Sequence, residues 1–153
     1  MSNHIDVKVK YISSKMGEQI NPPFYATTGS AGMDLAACIN EPITIKPGEK
    51  TVIPTGIAIQ LPSNEYVALI FSRSGLGIKH GITMSNGVGV IDSDYTGEIK
   101  CGLVNLGTET YTIQPNDRIA QMVFMPVAIA ALTVVNQLDS TERGAGGLGS
   151  TGQ

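Results

Sequence analysis

Tryptophan is absent from this chain, aromatic residues make up 5% of it, and only 15% of it is charged. So little charge excludes a disordered polyelectrolyte, and a hydrophobic share of 42% supplies enough material for a packed core. Basic charge is short as well: 10 Lys and Arg stand against 13 Asp and Glu, a net charge of −3. That balance argues against a protein that draws its affinity from neutralising many backbone phosphates, so no nucleic-acid partner is expected. Only two cysteines occur, Cys38 and Cys101, in no CxxC and with no histidine at ligand spacing. They fit reduced core thiols rather than a disulfide framework or a metal cluster. The most apolar stretch, residues 119–135, is interrupted by Gln121 and Pro126 and falls short of the roughly 20 residues that span a bilayer. Residues 1–6 lack the basic and apolar regions of a signal peptide. A cytoplasmic protein without a membrane partner is expected.

What is abundant is turn chemistry. In 153 residues there are 18 glycines and 8 prolines, both of which penalise helix interiors, so the leading class is a single all-β domain. Over residues 5–11, Ile5, Val7, Val9 and Tyr11 alternate with Asp6, Lys8 and Lys10, the period of a half-buried strand. The same period recurs at Ile43/Ile45, Ile57/Ile59/Leu61 and Ile99/Cys101/Leu103, and denser runs cover 67–71 and 122–127. Short strands at about ten-residue spacing suggest a sandwich, barrel or jelly roll. One short helical turn is expected after Ser72 or Ser74, with a serine as cap. Residues 129–138 are β-branched enough for a further strand, either in their own sheet or against a neighbouring subunit. The domain is expected to end at residue 138. Residues 139–153 hold five glycines and too few large apolar side chains to offset ordering entropy, so a tail flexible in the isolated protein is expected.

Five segments carry residues suited to chemistry. In the tail, Gly144, Gly146 and Gly149 match a dinucleotide fingerprint only formally, since the strand and helix that frame that fingerprint are not expected around them. Their amides with Arg143, Ser150 and Thr151 suit either a phosphate nest or a plain flexible end. Arg73, between Ser72 and Ser74 at the exit of an apolar run, is either a solvated turn residue or a fork for phosphate oxygens, with Ser74 and the Gly75 amide beside it. His80 has no partner at ligand spacing and reads as a surface or structural residue. Asp92 and Asp94, at i and i+2, would share one face of an extended strand near Tyr95, as solvated caps, a general base or a magnesium ligand. Asp34 lies in an apolar run, where an acid needs a partner or a metal. Gln121, polar within another strand pattern, reads as a core hydrogen-bonding group.

In order, AGMDLAA (31–37), SRSGLGIKHG (72–81), GVIDSDYTG (89–97), RIAQMVF (118–124) and RGAGGLGSTG (143–152) resemble the five motifs of the trimeric dUTP pyrophosphatase (dUTPase) family. The resemblance implies a jelly-roll subunit with at most one short helix. It implies a homotrimer with active sites shared between subunits, and Mg²⁺-assisted hydrolysis of dUTP to dUMP and pyrophosphate. By position, Asp92 would be the general base on the attacking water, and Gln121 would lie near that water and the α-phosphate. Arg73, Ser74, Gly75, Arg143, Gly147, Ser150 and Thr151 would bind phosphates. Asn86, Gly89, Val90 and Ile91 would read uracil, Tyr95 would exclude a 2′-hydroxyl, and Asp34 would reach Mg²⁺ through water. The related dCTP deaminases would need an acid and arginine signature that is not seen here, and no insertion stands out as a regulatory module.

The chain departs from the family at Leu148, where phenylalanine usually stacks on uracil. Leucine covers the ring face without the stacking geometry, a loss of about 0.5–1.5 kcal/mol. A Leu148→Phe variant should therefore bind nucleotide more tightly, about two- to tenfold in Kd. Unchanged KM and kcat would defeat that expectation.

Overall fold

The chain forms ten strands and one short helix across residues 4–147, the part that this computed structural model describes. In chain order they are β1 (Lys8–Tyr11), β2 (Met33–Ala36), β3 (Ile43–Ile45), β4 (Lys50–Gln60), β5 (Tyr66–Phe71), α1 (Ser74–His80), β6 (Ile82–Met84), β7 (Gly89–Ile91), β8 (Glu98–Asn105), β9 (Tyr111–Ile113) and β10 (Arg118–Pro126). Two four-stranded sheets, β1-β4-β8-β6 and β2-β10-β5-β7, and a β3-β9 ribbon are antiparallel throughout. The result is the expected all-β jelly roll with its single short helix.

The sheets close over one core because each presents alternate apolar residues inward. Ile53, Ile57, Ile99 and Leu103 of the first sheet and Leu35, Ile70 and Met122 of the second are all at most 2% exposed. Each such side chain contributes about 1.5–3 kcal/mol of burial. Cys101 sits in the same layer, and burial pushes its thiol up to about 12, which keeps it protonated and unreactive. Both cysteines are free. Among the described residues, no helix is long and apolar enough to cross a membrane.

Three expectations need correction, and that for residues 129–138 narrows to one of its two alternatives. The strand anticipated over 5–11 starts only at Lys8, and every residue in it is exposed. It is an edge strand, and its apolar alternation faces a cleft of about 440 Å³, lined by Val7, Val9, Tyr11, Met33, Tyr66 and Met122 among others. β4 is much longer than the 57–61 pattern and passes through Pro54; the register shifts between Pro54 and Ala58, with Gly56 at φ 73, which accommodates the proline at a bulge. Residues 129–138 form no strand within the chain's own sheets: Leu132 is 93% and Val134 97% exposed. Finally, α1 starts after Arg73 without a side-chain cap. The Ser72 hydroxyl accepts the Met84 N–H at 2.9 Å instead and shares a 2.6 Å hydrogen bond with Thr83 Oγ1.

Gly81 ends α1 in the left-handed region, at φ 70, with its N–H on the Gly77 carbonyl. A Cβ there would lie 2.3 Å from the Gly107 backbone nitrogen. Strain and clash fall on backbone that cannot yield, so Gly81→Ala should destabilise the protein by about 2–4 kcal/mol. Urea denaturation at fixed protein concentration checks this; a wild-type midpoint would refute it.

Candidate active site

The second sheet builds one row of residues across three strands. Gln121 of β10 stands opposite Asp34 of β2 on one side and Phe71, the last residue of β5, on the other. The chain leaves β5 there, so Ser72 and Arg73 emerge beside the row before α1 begins. Arg73 Nε donates to Asp34 Oδ1 at 2.8 Å, Arg118 Nη1 donates to Asp34 Oδ2 at 3.0 Å, and Arg73 Nη1 donates to the Arg118 carbonyl at 3.1 Å. Gln121 Nε2 donates to the Ser72 carbonyl at 2.9 Å. These groups border a cavity of about 370 Å³ that also takes in Gly32 and Ser74. Two guanidinium groups around one carboxylate leave a net positive charge, and the outward N–H groups suit an anion.

The third expected segment builds a second cavity. β7 pairs with β5, and Gly89 is buried against Ile70, whose Cβ would lie 3.0 Å from a Cβ at this glycine. After Ile91 the chain turns, with the Tyr95 N–H on the Asp92 carbonyl at 3.1 Å. The strand therefore does not carry Asp92 and Asp94 together on one face. Tyr95 Oη donates to the Glu98 carbonyl at 2.9 Å, and its ring occupies the space that a side chain at Gly97 would need. Val90, Ile91, Asp92 and Tyr95 join Glu98, Ile99 and Lys100 around about 300 Å³.

The remaining residues lie apart. Asn86 is exposed in the loop before β7, and Gly75 is exposed in the first turn of α1. Arg143 is exposed, its carbonyl accepting the Gly146 N–H, and neither Arg143 nor Gly147 borders either small cavity. Leu148, Ser150 and Thr151 lie outside the described residues. His80 packs its ring 4.8 Å from that of Tyr111, away from both cavities. Sequence reasoning missed Arg118, Gly32 and the β8 residues 98–100. Arg118 opens the same short motif as Gln121 and Gly32 lies in the same motif as Asp34, which were usable signals; nothing in the local pattern pointed to residues 98–100.

A family model described as dUTPase matches residues 18–152. The deoxyuridine 5'-triphosphate nucleotidohydrolase of Paraburkholderia phymatum is 50% identical over 145 residues, covering 95% of this chain and 97% of that protein. The enzyme of the same name from Coxiella burnetii is 51% identical over 147 residues, with 96% and 97% covered. The chain belongs to the dUTPase family. Among solved structures it is similar to the dUTPase of Staphylococcus bacteriophage 80alpha with dUpNHpp, at TM-score 0.85 and 27% identity over 99% of this chain and all of that one. A mutant dUTPase of phage phi11 of S. aureus, which coordinates a structural Mg(II) ion, gives TM-score 0.74 and 25% identity, with 86% and 97% covered.

Within this dUTPase subunit, Gly32 explains how Gln121 can sit as it does. A Cβ at Gly32 would lie 2.7 Å from Gln121 Oε1. The atom it meets is the end of a flexible side chain, so Gly32→Ala should shift the amide rather than the backbone. The expected result is a stability loss of about 1 kcal/mol or less with kcat down about 10²-fold, from misplacement alone. Wild-type kcat would show that the Gln121 position does not matter.

Proposed function

We propose that this chain is a dUTP diphosphatase, hydrolysing dUTP to dUMP and pyrophosphate by attack of water on the α-phosphorus. The observation that carries the reading is the division of labour around one sheet: an arginine, carboxylate and glutamine cluster at the ends of β2, β5 and β10, and a separate hairpin pocket holding a carboxylate and a tyrosine. Arg73, Ser74 and the Gly75 amide bind the phosphates, with Gln121 beside the α-phosphate. Asp92 orients the attacking water and takes its proton, a role worth about 10²–10⁴-fold. The Tyr95 ring closes the space where a 2′-hydroxyl would sit, and its bond to the Glu98 carbonyl fixes it there. Asn86 and the backbone of residues 89–91 pair the uracil edge, which rejects a base that leaves those groups unpaired.

Mg²⁺ is the proposed cofactor. Among the described residues, no three His, Cys, Asp or Glu side chains gather to hold a metal on their own. Asp34 has both oxygens on guanidinium groups, and each retains a lone pair. That donor set fits an ion held mainly by triphosphate oxygens, with Asp34 on its water shell. When bound, the ion supplies charge neutralisation and helps align the chain for in-line displacement.

The active unit is proposed to be a homotrimer. One chain's two cavities share no lining residue, and the proposed site joins the Asp92 hairpin of one subunit to the Arg73 cluster of another. The exposed apolar residues over 129–138 suit contact with a neighbouring copy. Arg143, Gly147, Leu148, Ser150 and Thr151 then close over the outer phosphates and the base. The two free cysteines suit a cytoplasmic setting, with neither nucleic acid nor membrane as partner.

Pyrophosphate release measured in parallel from dUTP, dCTP, dTTP and UTP with Mg²⁺ tests the activity, and dUTP alone should react. Asp92→Asn should lower turnover by at least about 10²-fold while dUpNHpp still binds. Ammonia release from dCTP, or full activity in the Asp92 variant, would overturn this reading.

A further inference from the structure

We propose that Arg118 is a positioning residue for the phosphate site, acting through Asp34 to aim Arg73. In a regular strand, residues three apart face opposite sides, so Arg118 would point away from Gln121. The β10 register instead shifts between Arg118 and Ala120: Arg118 pairs with Ala36, Ala120 with Leu35 and Gln121 with Asp34. Ile119 is the extra residue, and it is buried together with Ala120. This bulge turns Arg118 onto the face that carries Asp34 and Gln121, which is how bulges re-aim side chains beside active sites.

Once there, Arg118 acts twice. Its carbonyl accepts Arg73 Nη1, and its guanidinium holds the Asp34 oxygen that Arg73 does not use. Arg73 is thereby pinned at two donors, Nε and Nη1, and a planar guanidinium fixed at two points has one orientation. Its remaining N–H groups are left for phosphate oxygens, with little ordering still to do on binding. Asp34 needs the second partner to have a fixed plane of its own, because one ion pair leaves its other oxygen free to rotate. The carbonyl contact survives any side-chain replacement at 118, so a variant there isolates the route through Asp34.

This inference rests on the reading of Arg73 as a phosphate ligand. Arg118→Gln and Arg118→Lys are to be compared with Arg73→Gln and the double variant Arg73→Gln/Arg118→Gln, in the full chain. The readouts are kcat and KM for dUTP, the Kd of dUpNHpp, and thermal melting. Arg118→Gln should raise KM and that Kd about tenfold with kcat within about twofold, and Arg118→Lys should recover part of the loss. In the double variant the Arg118 change should add little to the Arg73 loss, since both act on one contact. A wild-type KM in the folded Arg118→Gln variant, or fully additive losses, would overturn the proposal. If Arg73→Gln itself leaves KM unchanged, the phosphate site has been misread, a failure separate from that of Arg118 alone.

Discussion

Strand β10 is the constraint on which the cluster of Asp34, Arg73, Arg118 and Gln121 depends. It is hydrogen-bonded on both sides, to β2 and to β5, so its register fixes theirs. A slip of one residue against either neighbour would carry Gln121 to the opposite face and bury Arg118 or strand it in solvent, because side chains alternate with a period of two. Burial enforces the register. Ile119, Ala120 and Met122 are buried in the core in the register that sets Gln121 beside Asp34. Packing energy is in this way converted into the placement of polar groups that contribute little stability of their own.

Among the described residues, the buried polar side chains are arranged so that none is left without a partner. Asp34 has 12% of its side chain exposed, enough shielding that an isolated carboxylate would carry a desolvation cost. Two guanidinium groups offset that cost and also spread its charge, and both arginines keep one side open to solvent. Ser72 performs the equivalent task with neutral groups: its hydroxyl joins the β5 exit to β6, and its carbonyl holds the Gln121 amide. No buried side-chain nitrogen or oxygen among the described residues lacks a hydrogen-bond partner.

The subunit also carries apolar surface that its own fold does not cover. β1 stands at a sheet edge with its apolar residues toward an open cleft, and residues 127–147, beyond β10, are exposed nearly throughout. An edge strand and an uncovered apolar segment in one chain are liabilities for a lone monomer and natural contacts between copies. The two small cavities, which share no lining residue, are compatible with the neighbour proposed above.

The sequence alone determined the all-β class, most strand positions, the free thiols and, through its motifs, the family. These are local properties, since alternation, turn residues and motif spacing are written along the chain. It did not determine which way Arg118 points, because strand parity gives the wrong face and only the bulge at Ile119 corrects it. It misjudged the Asp92 and Asp94 pair for the mirror-image reason: the strand stops at Ile91 and the parity argument ends with it. Residues 98–100 were invisible, and the contact that Gly32 makes was not legible from its motif, because both depend on what sits against them across the fold. The partners of Asp34, the hold on Gln121 and the division into two cavities are long-range consequences of register and packing, and those are fixed only when β2, β5 and β10 are brought side by side by the core they close.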